Sequence, residues 1–262
     1  MSGFDDLVSD MEEDDKGKVK PNDGRPVNHI AFVMDHSGSM CDFAEQSRTN
    51  FNEQLEQIKK DSDEQSNYVT IVEFDSKVKE VCRGKDINEV EPLKTYWLGG
   101  MTALYDAIMY AVSCIENDMP KEGNNSALVT IITDGYENAS VENKWDEGRL
   151  RIKKRIERLQ DTDKWTFVFM GAGQDVLETA VDSLGVNRLN TLSFQASNKG
   201  VRESGATYKT SYENYSSSRM KGATNATNFF NNDDTNEDDT VKTSATSKSG
   251  GGTSERGISN DN

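Results

Sequence analysis

The sequence predicts an α/β domain built around a mixed β-sheet. Residues 30–34 and 127–133 are short apolar runs with the composition of strands that are buried on both faces. Apolar residues at helical spacing separate such runs, and this alternation of strand and helix is typical of α/β folds. A strand that turns back directly after residues 68–74 adds one antiparallel edge strand to a mostly parallel sheet.

Each element follows from its own pattern along the chain. Strands are predicted from apolar or alternating runs, in order, at residues 30–34, 68–74, 77–82, 127–133, 165–170 and 190–194. Helices are predicted from apolar residues three or four positions apart, in order, at about residues 42–60, 104–115, 149–159, 177–184 and 208–215. Asp75 follows the second strand directly, which favours a turn residue over a ligand at this position.

Polar segments flank the predicted domain at both ends. The hydrophobic fraction of the 262-residue chain is only 34%, so part of its length lies outside any core. We expect an acidic, flexible N-terminal arm at residues 1–27, the α/β domain at residues 28–220, and a disordered polar tail at residues 221–262. The tail is rich in Asn, Thr, Ser, Gly and Asp, a composition that buries too little surface to offset the entropy of ordering.

The net charge and the cysteines narrow the range of partners. A formal net charge of −16 argues against a nucleic-acid backbone or an anionic membrane as the main partner. The cysteines, Cys41, Cys82 and Cys114, have neither the spacing of a disulfide framework nor that of a zinc site. No apolar stretch is as long as a membrane span, and the N-terminus lacks the features of a secretion signal. We therefore expect a cytoplasmic protein.

The first candidate site is the loop that follows the first strand. Asp35, Ser37 and Ser39 stand at alternate positions between this strand and the next helix. Hard divalent cations prefer oxygen ligands, and Mg²⁺ usually takes one or two carboxylates and leaves other positions to water or a partner. The same residues could instead cap the helix, and for this loop alone capping is the more common use of Ser and Asp.

Two further loops carry matching oxygen donors. Gly99 and Gly100 allow a close approach of the backbone, and Thr102 presents a hydroxyl just before a predicted helix. Asp134 directly follows the most apolar strand, and Gly135 is a turn residue after it. Ligands of open α/β sheets bind outside the carboxyl ends of the strands. If the strands are neighbours, one crevice gathers a candidate metal site of two aspartates and three hydroxyls: Asp35, Ser37, Ser39, Thr102 and Asp134.

Other polar residues near the same edge have simpler uses. Asp106 lies one turn into a predicted helix, where it could accept hydrogen bonds from nearby hydroxyls or face the positive helix end. Asp175 could act beyond the direct ligands, although helix capping is the more common use. His36 is predicted to face solvent. The basic stretch at residues 149–159 could bind an anionic partner, but it more often forms the solvated face of a packed helix.

These loops resemble a known motif. The metal-ion-dependent adhesion site of von Willebrand factor A-type (vWA) domains is similar to three segments of this chain, in order: Asp35-x-Ser37-x-Ser39, Thr102 after a glycine pair, and Thr133-Asp134-Gly135. The resemblance covers about residues 28–195 and fills every motif position. Small, stand-alone vWA proteins of bacteria and their phages are similar at residues 99–108, 134–140 and 169–175.

The resemblance implies a fold and a function. The fold is a Rossmann-like, three-layer domain with a six-stranded sheet in the order 3-2-1-4-5-6 and helices on both faces. Ser37, Ser39 and Thr102 would bind Mg²⁺ or Mn²⁺ directly, while Asp35 and Asp134 would act largely through bound water. The expected protein is a non-enzymatic binding module of a bacterial cell or a phage-infected host, which takes an Asp or Glu of a protein partner at the metal.

Two alternatives stay open. The first is metal-assisted phosphoester hydrolysis at the same cleft, although the sequence contains no phosphate-binding Gly-x-x-x-x-Gly-Lys-Ser/Thr loop and no convincing pair of nucleophile and base. The second is a structural part of a virion or another assembly. We expect no enzymatic activity.

Overall fold

A computed structural model describes residues 24–95 and 98–230 of the chain. Most of the expected N-terminal arm, residues 1–23, lies outside the described residues, as do residues 231–262 of the expected tail. Within the described residues, no helix combines the length and the hydropathy needed to cross a membrane.

The sheet has six strands in the order β3-β2-β1-β4-β5-β6. Their bounds are β1 Val27–Asp35, β2 Ser66–Phe74, β3 Val78–Asp86, β4 Asn125–Thr133, β5 Trp165–Ala172 and β6 Thr191–Phe194. β3 pairs with β2 in the antiparallel direction, and the other neighbours are parallel. The predicted sheet, with its strand order and its antiparallel edge strand, is confirmed.

Within the part of the chain that the structure describes, five α-helices cover the sheet. Their bounds are α1 Ala44–Lys60, α2 Leu104–Asp118, α3 Trp145–Gln160, α4 Gln174–Leu184 and α5 Asn198–Met220. Short 3₁₀ helices lie at Gly38–Phe43, Ile87–Glu89 and Arg188–Asn190. The first helix was predicted from about residue 42, but the chain first forms the 3₁₀ turn after β1 and becomes α-helical at Ala44.

The central strand β1 joins the two halves of the core. Successive side chains of a strand point to opposite faces, and every residue of β1 is buried. Ala31 and Val33 pack in the layer that contains α2, α3 and α4. Ile30, Phe32 and Met34 pack in the layer that contains α1 and α5. The predicted three layers, with helices on both faces, are therefore present.

The folded part of the chain extends past residue 220, where the sequence analysis ended the domain. Phe229 is completely buried, and its ring centroid lies 5.4 Å from that of Tyr208 on α5. Its backbone N–H donates to Asn190 Oδ1 at 2.8 Å. Residues 221–230 are polar on average, but the buried Phe229 and the hydrogen bonds of Ala226 with Asn190 and Thr166 fix the segment against the core.

Arg219 attaches the last turn of α5 to the sheet. Its guanidinium is completely buried and donates only to oxygens of neutral groups among its described contacts. These bonds are Nε to Asn28 Oδ1 at 2.7 Å, Nη1 to Asn124 Oδ1 at 3.0 Å, Nη2 to Asn124 O at 2.9 Å and to Val27 O at 3.3 Å, and Nη1 to Ala223 O. They lie where β1 and β4 begin.

The basic stretch at residues 149–159 lies within α3 and is largely paired inside the domain. Arg155 and Arg158 both donate to the carboxylate of Glu116 on α2, the latter at 2.9 Å. Ile152, Ile156 and Leu159 on the same helix are buried. The structure favours the solvated face of a packed helix over a site for an anionic partner.

Candidate metal site

The candidate site lies at the carboxyl ends of β1 and β4, which are neighbours in the sheet. The two strands are parallel and in register up to the pair Met34 and Ile132. Asp35 ends β1, and Asp134 directly follows the last residue of β4. The condition for one shared crevice, adjacent strands with aspartates at the same edge, is therefore met.

Asp35 is held by both strands. Its side chain is completely buried, and Oδ1 accepts the backbone N–H of Ser37 at 2.7 Å. Oδ2 accepts the hydroxyl of Thr133, the last residue of β4, at 2.5 Å. This hydrogen bond fixes the orientation of the carboxylate and gives a role in the site to Thr133, which the sequence analysis named within the motif but not as a ligand.

The two serines face Asp134. Ser37 Oγ and Ser39 Oγ lie 3.0 Å apart, and Ser39 Oγ donates to Asp134 Oδ1 at 2.7 Å. Ser37 precedes the 3₁₀ helix Gly38–Phe43, yet its side chain makes no capping hydrogen bond. The capping alternative for Ser37 is therefore wrong. Its hydroxyl contacts Ser39 in the same loop, and the Ser39 hydroxyl reaches the neighbouring loop at Asp134.

Thr102 approaches the same point from the start of α2. A Cβ atom added at Gly135 would be 3.3 Å from Thr102 Oγ1 and 3.9 Å from Asp35 Oδ2, so both side chains lie beside this glycine. Thr102 is buried, and the N-cap position of α2 belongs to Ala103. The structure thus brings together the five side chains that the sequence analysis named.

Burial sets the electrostatics of the two carboxylates. It raises the pKa of Asp35, although hydrogen bonds from Thr133 and Ser37 oppose the shift, and the negative charge of Asp134 raises the pKa further. Burial also raises the pKa of Asp134, against the hydrogen bond from Ser39. Two neighbouring carboxylates removed from water are an environment in which a bound cation is favourable.

The donor set fits a hard divalent cation. It offers carboxylate and hydroxyl oxygens, which suit Mg²⁺ or Mn²⁺ better than soft metals. Over residues 24–95 and 98–230, no group of three or more His, Cys, Asp or Glu side chains could hold a metal ion.

The loop after β4 is tied to Thr102 by backbone and side-chain hydrogen bonds. Asn138 Oδ1 accepts the backbone N–H of Thr102 at 2.7 Å. The carbonyl of Thr102 accepts the N–H groups of Asn138 at 3.0 Å and of Ala139 at 3.2 Å. Both backbone polar groups of Thr102 are thus bound by the loop that starts at Asp134.

Glu137 caps the first turn of α2 from the same loop. Its carboxylate accepts the N–H of Tyr105 at 2.8 Å, and also those of Ala139 at 2.9 Å and Ser140 at 2.7 Å. The Ser140 hydroxyl donates to Glu137 at 2.7 Å and accepts the N–H of Asp106 at 3.0 Å. Sequence analysis gave Glu137 and Asn138 no role, because their partners, Tyr105 on α2 and Thr102 just before it, are more than thirty positions away.

Asp106 holds the far end of this loop. Its carboxylate accepts the backbone N–H groups of Val141 at 2.7 Å and Asn143 at 2.8 Å, and the Asn143 amide at 3.0 Å. Burial by itself would raise the pKa of Asp106, but the hydrogen bonds from these N–H groups outweigh it and lower the pKa. Its partners are mainly backbone groups rather than the hydroxyls considered from the sequence.

The remaining candidates lie outside the site. Asp75 Oδ1 accepts the N–H of Lys77 at 2.8 Å, so the predicted turn residue is confirmed. Asp175 lies in the first turn of α4, where its charge faces the positive helix end. His36 is buried rather than solvent-facing, with Nε2 3.7 Å from Glu73 Oε1. The prediction for His36 is wrong because its backbone pairs with β2 and turns the ring inward.

Comparison with known proteins supports the fold. Residues 29–205 match the von Willebrand factor type A domain family. The fold is similar to the open conformation of the pilus adhesin SpaC from Lactobacillus rhamnosus GG, with a TM-score of 0.55 and 13% identity over 79% of this chain and 31% of that chain. It is also similar to a mutant of the PilB minor pilin from Streptococcus sanguinis, with a TM-score of 0.52 and 11% identity over 77% of this chain and 64% of that chain.

These similarities to solved structures concern the fold alone, and the chain spans less than two thirds of the length of either protein. No curated protein matches the chain. The family match covers well over half of the sequence and includes every strand of the sheet except the first two residues of β1. The chain therefore belongs to the von Willebrand factor type A domain family.

Proposed function

We propose that this domain is a Mg²⁺- or Mn²⁺-dependent protein-binding module that captures an acidic side chain of a partner. The observation that carries the proposal is the convergence of oxygen donors from three separate loops. Ser39 donates a hydrogen bond to Asp134, and Thr102 and Asp35 both lie beside Gly135. The family supports the general class, since vWA domains are mostly non-enzymatic modules for protein interaction.

Each side chain has a distinct role in this proposal. Ser37, Ser39 and Thr102 would hold the ion directly, and their neutral oxygens would leave its charge largely uncompensated. Asp35 and Asp134 would supply the negative charge that keeps the ion in place, largely through water. The bound cation would offer an open coordination position to a carboxylate oxygen, so a protein of net charge −16 could still bind an acidic partner there.

The surface beside the site supports contact with a protein. Met101, next to Thr102, is 55% exposed, and Tyr136, two residues after Asp134, is 51% exposed. Large apolar and aromatic side chains are common at the centre of protein interfaces. The partner would therefore cover these two side chains around the carboxylate that reaches the metal. A cytoplasmic location and a bacterial or phage origin stay predictions.

Metal titration and affinity capture test the proposal. Isothermal titration calorimetry with Mg²⁺ and Mn²⁺ should show binding by the wild type and a loss of at least about thirtyfold in Asp134→Ala, equivalent to about 2 kcal/mol. Asp75→Asn, a change in a nearby turn, is the control and should bind as the wild type does. Circular dichroism should show that all three proteins are folded.

The capture experiment addresses the partner. The immobilised wild-type domain should retain its protein partner in the presence of Mg²⁺ and release it in EDTA. The immobilised Asp134→Ala variant should not retain this partner. Retention of the same protein by the wild type in EDTA would contradict metal-dependent capture. Absence of metal binding by the wild type would contradict the proposal as a whole.

A further inference from the structure

Residues 135–143, which connect β4 to α3, are fastened to the start of α2 at two places. The inner fastening joins Asn138 and Ala139 to the backbone of Thr102. The outer fastening joins residues 141–143 to the carboxylate of Asp106. The inner fastening touches a candidate metal ligand, while the outer one lies a full turn further along α2.

The inner fastening determines where the Thr102 hydroxyl lies. Thr102 is part of a loop that contains Gly99 and Gly100, and glycines leave a backbone free to move. The hydrogen bonds to Asn138 and Ala139 bind its N–H and its carbonyl at once, and so restrain the backbone that carries its hydroxyl. Asp134 lies at the start of the same connecting loop, and the fastening therefore sets the separation between Thr102 and Asp134.

We propose that Asn138 is a positioning residue of the metal site, whose amide oxygen holds Thr102 opposite Asp134 and thereby sets the affinity for the ion. The role rests on the proposed function, because it requires that Thr102 binds a metal. Groups that orient metal ligands by hydrogen bonds commonly change metal affinity by ten- to a hundredfold when they are removed.

Asn138 acts on the site without supporting the core. Its side chain is exposed, so its loss leaves no cavity, whereas Thr102 is 3% exposed and sits against Gly135. Removing the amide oxygen leaves the N–H of Thr102 without this acceptor, so one of the hydrogen bonds that fix its backbone is lost. A small displacement of a direct ligand should reduce metal affinity far more than it reduces stability.

The outer fastening supplies a matched control in the same loop. Asn143 donates from its side chain to Asp106 at 3.0 Å, and its Oδ1 accepts from Arg151 at 3.2 Å. Asn143→Ala removes an amide of the same kind from the same loop but touches no candidate ligand. Asn138→Asp is the conservative variant, since it keeps an acceptor oxygen for the N–H of Thr102.

The test measures the affinity of the full chain for Mg²⁺ and Mn²⁺ by calorimetry, together with the thermal midpoint of each variant. Asn138→Ala should weaken binding about tenfold while its midpoint falls by only a few degrees. Asn138→Asp should stay within about threefold of the wild type, and Asn143→Ala within about twofold despite a lower midpoint.

Each other outcome overturns a defined claim. An affinity of Asn138→Ala within twofold of the wild type would overturn the positioning role, as would equal losses in Asn138→Ala and Asn143→Ala. A tenfold loss in Asn138→Asp would overturn the role of the acceptor oxygen. A wild type that binds neither ion would overturn the proposed function, and the positioning role with it.

Discussion

Replacing Arg219 with methionine should lower the free energy of unfolding by about 2–4 kcal/mol. The guanidinium is completely buried and donates to oxygens of Asn28, Asn124, Val27 and Ala223. Methionine fills similar volume without a donor, so the main loss is the hydrogen bonds rather than packing.

The magnitude follows from the acceptors that lose a donor. Asn28 Oδ1 keeps the hydroxyl of Ser126 at 3.0 Å, and Asn124 O keeps the N–H of Val27 at 2.9 Å. Three acceptors lose the hydrogen bond that Arg219 donates, at a cost of about 1 kcal/mol each: Asn124 Oδ1 and the carbonyls of Val27 and Ala223. The buried charge of Arg219 has no carboxylate among these partners, so its removal is itself favourable and offsets part of the loss. The net decrease in the free energy of unfolding is therefore about 2–4 kcal/mol.

Differential scanning calorimetry is the assay, and the thermal midpoint should fall by about 5–12 °C. The thermal midpoint of Arg219→Lys should fall by a similar amount, because an ammonium group keeps the charge but cannot reproduce the planar arrangement of guanidinium donors. Metal affinity should be unchanged in both variants, since Val27 and Asp35 are the opposite ends of the nine-residue strand β1, about 26 Å apart. A midpoint of Arg219→Met within 2 °C of the wild type would refute the reasoning.

Two further predictions concern His29 and Gly135. Lowering the pH from 7 to 4 should destabilise the domain through His29 by up to about 3 kcal/mol. Burial lowers the pKa of His29 to about 4 in the folded state, against the opposing charge of Asp118, while the unfolded chain takes up the proton near pH 6.5. Urea unfolding at both pH values should show a smaller loss in His29→Gln, and an equal loss would contradict the assignment. Gly135→Ala should weaken metal binding about tenfold because the new Cβ would crowd Thr102 Oγ1 at 3.3 Å. Gly99→Ala, with no atom within 4 Å, is its control, and calorimetry showing equal affinities for the two variants would exclude the steric explanation.

The elements that the sequence predicted best are those whose signal is local. β1 and β4 are buried on both faces, so each appears as a continuous apolar run, and each ends in the residue that reaches the site. Asp35 and Asp134 could be placed at one edge because parallel strands carry their carboxyl ends together. The metal motif could therefore be predicted before any distance between the loops was known.

The features that the sequence did not reveal depend on distant partners. Nothing near Asn138 in the chain indicates that its amide oxygen accepts from Thr102, and nothing near His36 indicates Glu73 as its neighbour. The burial of Phe229 was not predicted, because the residues around it are polar and their composition indicated a disordered tail. A composition average measures whether a segment can form its own core, but it does not detect one side chain that completes a core formed by others.

The buried ring of Phe229 has a practical consequence for anyone who shortens this protein. A chain cut at residue 220, where composition suggests a clean boundary, would uncover the aromatic faces of Tyr208 and Tyr215, whose centroids lie 5.4 and 6.1 Å from that ring. Exposed aromatic surface of this kind promotes self-association of the truncated protein. A chain that ends after Phe230 keeps Phe229, which covers the tyrosines of α5.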